Sequence, residues 1–203
     1  LASYSAALDA GGLTLASVQD DAPYTYAGAN GKSVSNYDKR YRGFTTLREA
    51  ITDSINIVTV KTLAQVGVSL GWQYVQEYGF TTVDSRDMNE ALALGGITQG
   101  VSNLELTAAY AAIANQGTYI KPKFYTKILD HDGNVLIDNT TPESHTVIKD
   151  TTAWLLTSAM EDVMTSGTGT SAYFGSSMAQ AGKSGTTTSS RDALFAGYTP
   201  YYT

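Results

Sequence analysis

The sequence predicts an α+β fold in which helices pack on an antiparallel sheet. Most helical patterns lie within residues 1–115, and strand patterns with turn signals are concentrated in the rest of the chain. The 203 residues, of which 42% are hydrophobic, are enough to bury the core of one domain. Because the chain begins inside a helical pattern and nothing covers its last strand, we expect residues 1–203 to be part of a domain that is truncated at both ends.

Helices are predicted mainly in the first part of the chain. Thr46 and Ser102 each precede a glutamate by three residues, a capping box that starts a helix. The second of these helices is apolar on almost every face, so we expect it to be central and buried. Residues 14–41 are polar and predicted to be mostly irregular. The predicted helices span residues 1–10, 46–53, 57–66, 70–78 and 102–115, and Asp150 is predicted to cap one more.

Two strand pairs are predicted in the second part of the chain. Asp132-Gly133 is a hairpin turn signal between two apolar runs, residues 124–129 and 134–137. Residues 178–187 and 193–199 are predicted to be two strands joined by a polar turn. These strands supply the antiparallel sheet of the predicted fold.

Composition argues against several classes of function. A formal net charge of −6 and a pI of about 4.8 do not favour nucleic acid or an anionic membrane as a partner. The absence of cysteine removes disulfides, thiolate metal sites and cysteine nucleophiles. His131 and His145 are predicted to be solvated loop residues, so a histidine-based triad or metal site is not supported. We expect no metal, no cofactor and no membrane span within these residues.

Two short motifs are candidates for catalysis. The first is Ser54-Ile55-Asn56, and the second is Lys183-Ser184-Gly185, which Thr186 and Thr187 follow. Each motif alone is a weak signal, because Ser54 could be a helix N-cap and Lys183 a solvated strand lysine.

Context favours a shared binding cavity for these motifs. Ser54 and Asn56 do not share a helix face, but they can converge at the non-helical junction predicted between two helices. Gly185 inside a strand costs stability, and it is explained where the backbone of a ligand approaches the strand closely. The hydroxyl groups beside it could donate hydrogen bonds to a carboxylate; they belong to Ser184, Thr186 and Thr187.

The two motifs and their order resemble the S-D-N and K-T-G elements of serine β-lactamases and penicillin-binding proteins. Their surroundings are most similar to the bifunctional (class A) penicillin-binding proteins, and the resemblance covers nearly the whole chain. Ser184 stands where that family usually has threonine, which preserves the hydroxyl group. The matching stretches are Tyr41-Arg42-Gly43, Thr46-Leu47-Arg48-Glu49-Ala50, residues 54–61, Leu92-Ala93-Leu94-Gly95-Gly96, residues 104–115, Gly167-Thr168-Gly169-Thr170, residues 182–187 and residues 192–200.

One element of the family pattern is missing. No serine in the chain has a lysine three residues later, so the S-x-x-K motif of the nucleophile is absent. In the family this motif runs directly into a stretch that resembles residues 1–12. The resemblance therefore implies that the nucleophilic serine and its lysine lie shortly before Leu1, and that this chain alone is inactive.

The resemblance implies a β-lactamase/transpeptidase-like fold and a serine D,D-transpeptidase that cross-links peptidoglycan stem peptides and is inhibited by β-lactam antibiotics. It implies that Ser54 relays protons, Asn56 bonds the substrate amide and Lys183 supplies a positive field. It also implies that the substrate lies as an added strand along residues 183–187, with the Thr186 N–H as half of an oxyanion hole. The implied substrate-binding residues are Ser184, Gly185, Thr186 and Thr187.

The family further implies a parent protein that is anchored in the cell membrane, acts outside the cytoplasm and carries an upstream glycosyltransferase domain. It implies no cofactor. Two alternatives stay open. The same residues serve serine β-lactamases and D,D-carboxypeptidases, which differ in what attacks the acyl-enzyme. If the parent also lacks S-x-x-K, the domain would be a non-catalytic penicillin-binding-like module.

Overall fold

Six α-helices and ten short strands form the regular structure of the described residues, 1–27, 32–175, 177–187 and 191–203, in a computed structural model. The helices are α1 (Ala2–Asp9), α2 (Leu47–Thr52), α3 (Asn56–Val66), α4 (Val68–Glu77), α5 (Asn103–Ala114) and α6 (Asp150–Thr165). The strands are β1 (Val18–Asp21), β2 (Tyr24–Thr25), β3 (Ser33–Val34), β4 (Gly43–Thr46), β5 (Thr118–Ile120), β6 (Lys127–Leu129), β7 (Val135–Asp138), β8 (Ser144–Thr146), β9 (Ala181–Thr186) and β10 (Ala193–Tyr198). Three short 3-10 turns lie at Ser85–Asp87, Glu90–Leu94 and Thr170–Ala172.

Helices α2 and α5 begin at the two predicted capping boxes. Thr46 Oγ1 accepts the Glu49 N–H at 3.2 Å, and Glu49 Oε2 accepts the Thr46 N–H at 2.8 Å. Ser102 and Glu105 form the same reciprocal pair at the start of α5. Each pair satisfies backbone donors of the first turn within a span of three residues, which is why the sequence reveals these starts.

The predicted cap of α6 is wrong by one residue. Lys149 is the N-cap, without a capping hydrogen bond from its side chain, and Asp150 is the first helical residue. The Lys149 N–H donates to Asp9 Oδ1 at 2.8 Å. Because this contact with the end of α1 holds Lys149 in an extended conformation, the helix begins at the next residue.

Most helices pack around one hydrophobic core. Helix α1 packs on α3, α4 and α6, and α5 packs on α6 and β10. The second half of α5 is buried as predicted, through Ala108, Ala109, Ala112 and Ile113, whereas its first turn is exposed at Leu104. Helix α6 contacts both α2 and β9. Helix α2 and strand β9 therefore both pack against α6.

The strands of the described residues form five separate antiparallel pairs and not one continuous sheet. The predicted hairpin is confirmed as β6 and β7, with Gly133 in the turn at φ 84°. Strands β9 and β10 also pair as predicted. The α+β class is confirmed, and the strand pair against which α5 and α6 pack is β9–β10.

Two predictions for polar segments are incomplete. Most described residues of 14–41 lie outside helices and strands, as predicted, but β1, β2 and β3 also lie in this segment. Strand β1 pairs with β4, which is distant in sequence, so its local pattern does not reveal the pairing. His145, predicted to be a solvated loop residue, lies in β8 with Nε2 2.7 Å from Glu77 O and its ring against Tyr119. Both elements depend on partners that only the fold brings near.

Candidate active site

The junction between α2 and α3 carries Ser54. The backbone turns sharply here, because Ser54 has φ 55°, in the left-handed region, and Ile55 is already the N-cap of α3. The Ile55 N–H donates to Ala50 O at 2.9 Å, and Ile55 is only 2% exposed. The buried Ile55 thus anchors the turn, and Ser54 is not a helix cap.

Lys183 in β9 contacts Ser54 directly. Its Nζ donates to Ser54 Oγ at 2.8 Å and to Ser184 O at 2.8 Å. The register of the strand pair sets Lys183 opposite Ala196 of β10. The two sequence motifs, whose contacting residues are 129 positions apart, therefore meet in the fold.

The ammonium group of Lys183 lies in an unusual electrostatic environment. Burial lowers the pKa of Lys183 from 10.5 to about 8. No carboxylate among the described residues forms an ion pair with it, and both of its acceptors are neutral oxygens. Among the described residues the site thus presents a cation with no carboxylate partner, which suits it to an anionic ligand.

The loop after α6 connects the two motifs. Thr168 Oγ1 and Ser184 Oγ are 2.8 Å apart, and the Thr168 N–H donates to Thr52 O at 3.2 Å. Gly167 permits this approach, because a Cβ at that position would lie 2.2 Å from Thr52 O. From the sequence this loop is identified only through the family resemblance, although two glycines flanking a threonine indicate a close backbone approach.

The other predicted site residues lie near this contact. Asn56 is the first residue of α3, and its Nδ2 donates to a loop carbonyl at 3.0 Å. Gly185 and Thr186 are exposed, and a Cβ added at Gly185 would meet no atom of the part of the chain that the structure describes within 4 Å. The Thr187 hydroxyl accepts the Asp192 N–H at 2.8 Å. The structure therefore joins Ser54, Lys183 and Ser184 by contact and ties Thr187 to Asp192. The polar turn predicted between these last two residues lies mostly outside the described residues.

The predicted site residues line one cleft of about 1320 Å³. Helix α1 contributes Tyr4 to its wall, and the segment 93–98 contributes another part. Tyr4 was not predicted as a site residue; its hydroxyl lies 2.8 Å from Thr59 Oγ1 and joins α1 to α3. The cleft is large enough for a peptide-sized ligand. The predicted site residues that line it are Ser54, Asn56, Lys183, Ser184, Gly185, Thr186 and Thr187.

The side chains that meet at Ser54 are hydroxyl and ammonium groups, which can bind an anion and move protons. Within the ranges that the structure describes, no group of three or more His, Asp or Glu side chains is placed to hold a metal ion. In the same ranges, no helix has both the length and the apolar character needed to cross a membrane.

Comparison with known proteins identifies relatives over the whole chain. The family described as "Penicillin binding protein transpeptidase domain" matches residues 1–203. Penicillin-binding protein 1F of Bacillus subtilis is 40% identical over 83% of this chain and 24% of its own length. Penicillin-binding protein 1A of Clostridium botulinum is 34% identical over 98% of this chain and 25% of its own length. The chain thus spans about a quarter of these curated relatives.

A solved structure supports the same relationship. The crystal structure of penicillin-binding protein 1A from Haemophilus influenzae is similar with a TM-score of 0.85 and 26% identity. The similarity covers 97% of this chain and 35% of that one. The arrangement of helices around the β9–β10 pair is therefore shared with a protein of known fold.

Proposed function

Since the chain belongs to the penicillin-binding protein transpeptidase domain family, we propose that it forms part of the active site of a D,D-transpeptidase that cross-links peptidoglycan stem peptides. The family resemblance noted in the sequence, and the fold it implied, are confirmed by this membership. The observation that carries the proposed activity is the 2.8 Å contact between Lys183 Nζ and Ser54 Oγ in the cleft.

The proposed reaction begins with a nucleophilic serine that belongs to the parent protein and precedes Leu1. Leu1 itself lines the same cleft as Lys183, which supports entry of that segment at this point. The serine oxygen bonds to the carbonyl carbon of the penultimate D-Ala, the peptide bond to the terminal D-Ala breaks, and the serine proton reaches the leaving amine. The amine of a second stem peptide then attacks the ester, forms the new amide and restores the serine hydroxyl.

Each described residue of the site has a proposed part in this reaction. Ser54 passes the proton toward the leaving amine, because its hydroxyl can donate and accept at once. Lys183 attracts the substrate carboxylate, with the hydroxyls of Ser184 and Thr186 as donors to it. Asn56 bonds the substrate amide. The exposed strand at Gly185 and Thr187 accommodates the substrate backbone as an added strand.

We further propose that the full-length protein acts outside the cytoplasm, is anchored in the membrane and carries a glycosyltransferase domain before this one. β-Lactams, which resemble the D-Ala-D-Ala end, are its proposed inhibitors. The names of the relatives support penicillin binding.

The test is intact-mass analysis after incubation with benzylpenicillin, using the full-length protein and the chain of residues 1–203. We expect one stable penicilloyl adduct on the full-length protein and none on the shorter chain. Rapid release of hydrolysed penicillin would indicate a β-lactamase or a carboxypeptidase. A folded full-length protein that gains no mass would indicate a non-catalytic module and overturn the proposal.

The rate of acylation is expected to fall as the pH rises through about 8. At pH 7 Lys183 is mostly protonated, and above its pKa of about 8 the cation that attracts the penicillin carboxylate is lost. The measurement is the second-order rate constant for acylation of the full-length protein between pH 6 and 10. In Lys183→Arg the fall of the acylation rate should move to a pH above this range, because the guanidinium group stays charged. If the acylation rate of that variant falls at the same pH as that of the wild type, a group other than Lys183 causes the fall.

Gly185→Ala is expected to reduce acylation at least about ten-fold without lowering the melting temperature. No atom of the described residues lies within 4 Å of a Cβ at Gly185, so the added methyl group would obstruct a ligand lying along the strand. Gly182→Ala in the same strand is the matched control, since its Cβ would lie 2.4 Å from the Phe195 ring. That variant should lose stability. If Gly185→Ala is acylated at the normal rate, the ligand does not follow this strand.

A further inference from the structure

The junction that carries Ser54 is held in a conformation that its own residues do not favour. Ser54 has φ 55°, a region that costs a residue with a Cβ about 1–2 kcal/mol. The N-cap of α3 is Ile55, whose side chain cannot accept a hydrogen bond from the first turn. Such a conformation persists only where surrounding structure determines it. Burial of Ile55 anchors the turn, but the cap for the first turn of α3 must come from outside the junction.

Asn36 supplies the missing cap from 21 residues away. Its Oδ1 accepts the Ile57 N–H at 3.2 Å, the bond that an N-cap side chain normally makes. Asn36 is only 3% exposed. A second contact lies beside it, because Asn56 Nδ2 donates to Ser35 O at 3.0 Å. Two adjacent loop residues thus hold the first turn of α3, directly after Ser54.

Asp21 determines which way the Asn36 amide faces. Asn36 Nδ2 donates to Asp21 Oδ1 at 2.8 Å and Oδ2 at 3.0 Å, and to Arg40 O at 2.8 Å. Asp21 is fully buried and also accepts the Arg42 N–H at 2.9 Å. Because a carboxylate only accepts, the amide nitrogen must face Asp21 and the amide oxygen must face α3. The orientation of the cap is thereby set by charge.

We propose that Asn36 is a positioning residue for the reaction: oriented by Asp21, it caps α3 and so holds Ser54 and Asn56 where they meet Lys183 and the substrate. Asn36 lines the same cleft, but Asp21, the Arg40 carbonyl and the Ile57 N–H engage its amide, so it acts through the helix start. The expected effect of Asn36 on the reaction rate rests on the proposed function. Its expected effect on the junction between α2 and α3 rests on geometry alone.

The test compares Asn36→Asp with the double variant Asp21→Asn/Asn36→Asp in the full-length protein. The single change sets two carboxylates against each other about 3 Å apart, which displaces the cap. The double change restores one amide facing one carboxylate, with the carboxylate of residue 36 accepting from α3, but the Arg40 carbonyl loses its amide donor. Asn134→Asp is the matched control, because Asn134 Nδ2 donates to Asp130 Oδ2 at 3.0 Å in the exposed β6–β7 turn.

Two readouts are measured on folded protein. We expect Asn36→Asp to lower the limiting rate of acylation by benzylpenicillin about ten- to a hundred-fold, as loss of a buried hydrogen bond predicts, with little change in the concentration dependence. Hydrogen exchange of peptides covering residues 54–60 should become faster. The double variant should recover part of the acylation rate and part of the protection from exchange, because the bond to Arg40 O stays lost. The control should change neither readout.

The outcomes separate the two proposals. If the wild-type protein is not acylated, the proposed function fails, while hydrogen exchange at residues 54–60 still decides whether Asn36 holds the junction. Unchanged exchange and rate in Asn36→Asp would overturn the inference. A loss in Asn36→Asp that the double variant does not recover would also overturn it, because orientation by Asp21 would then have no part.

Discussion

Lys183→Met in the full-length protein is expected to lower the rate of acylation by benzylpenicillin about a thousand-fold or more, as removal of a preorganised electrostatic group at a reacting centre commonly does. Methionine fills similar space but supplies no charge and no donor to Ser54. The 2.8 Å bond from Nζ to Ser54 Oγ is lost, together with the cation that faces the substrate carboxylate. The measurement is the second-order acylation rate constant at pH 7.

The same variant is expected to be at least as stable as the wild type. Burial lowers the pKa of Lys183 from 10.5 to about 8, so the folded state binds this proton less tightly than the unfolded state does. The free energy of unfolding of the wild type should therefore rise between pH 8 and 10.5 relative to that of Lys183→Met. Below pH 8 both states are protonated, and the cost of burying the cation is fully present.

Lys121→Met is the matched control for this experiment. Lys121 pairs with Glu143 at 2.8 Å, but both side chains are largely exposed, so the pair adds little stability. Neither activity nor melting temperature should change appreciably in that variant. If Lys183→Met keeps acylation within ten-fold of the wild type, Lys183 is a structural residue and its proposed role must be withdrawn.

Ser54→Ala and Ser54→Gly are both expected to lower acylation about a hundred-fold or more, the usual effect of removing a group that transfers protons. The two variants should differ in stability. Because Ser54 has φ 55°, glycine removes the steric cost of the left-handed region and alanine does not. Ser54→Gly should therefore be more stable than Ser54→Ala by about 1 kcal/mol. Denaturant unfolding and acylation kinetics on both variants provide the measurement.

Gln116→Gly is the control for the stability gained when glycine removes the steric cost of a positive φ. Gln116 also has φ 55°, and it is exposed near the end of α5, away from Ser54 in sequence. Glycine at position 116 should raise the free energy of unfolding by about 1 kcal/mol, similar to the difference between the two Ser54 variants, without changing the rate of acylation. Normal acylation in Ser54→Ala would exclude a proton relay through the hydroxyl, whatever the stability of the variant.

Part of the site could be predicted because its signals are local. The S-x-N and K-S-G motifs are short runs of residue types, and the argument that Ser54 and Asn56 need a non-helical junction follows from helix geometry alone. The positions of Thr168 and Asn36 beside these motifs could not be predicted in this way. Thr168 contacts Ser184, 16 positions away, and Asn36 contacts Ile57, 21 positions away.

The sequence by itself determined the helix starts at Thr46 and Ser102, the hairpin turn at Gly133 and the order of the two motifs. In each case the interacting groups lie within a few residues, so local chemistry is sufficient. Only the tertiary structure decided the left-handed turn at Ser54 and the lowered pKa of Lys183. Both depend on groups far apart in sequence, since packing against the core pins Ile55 and removes water from the ammonium group.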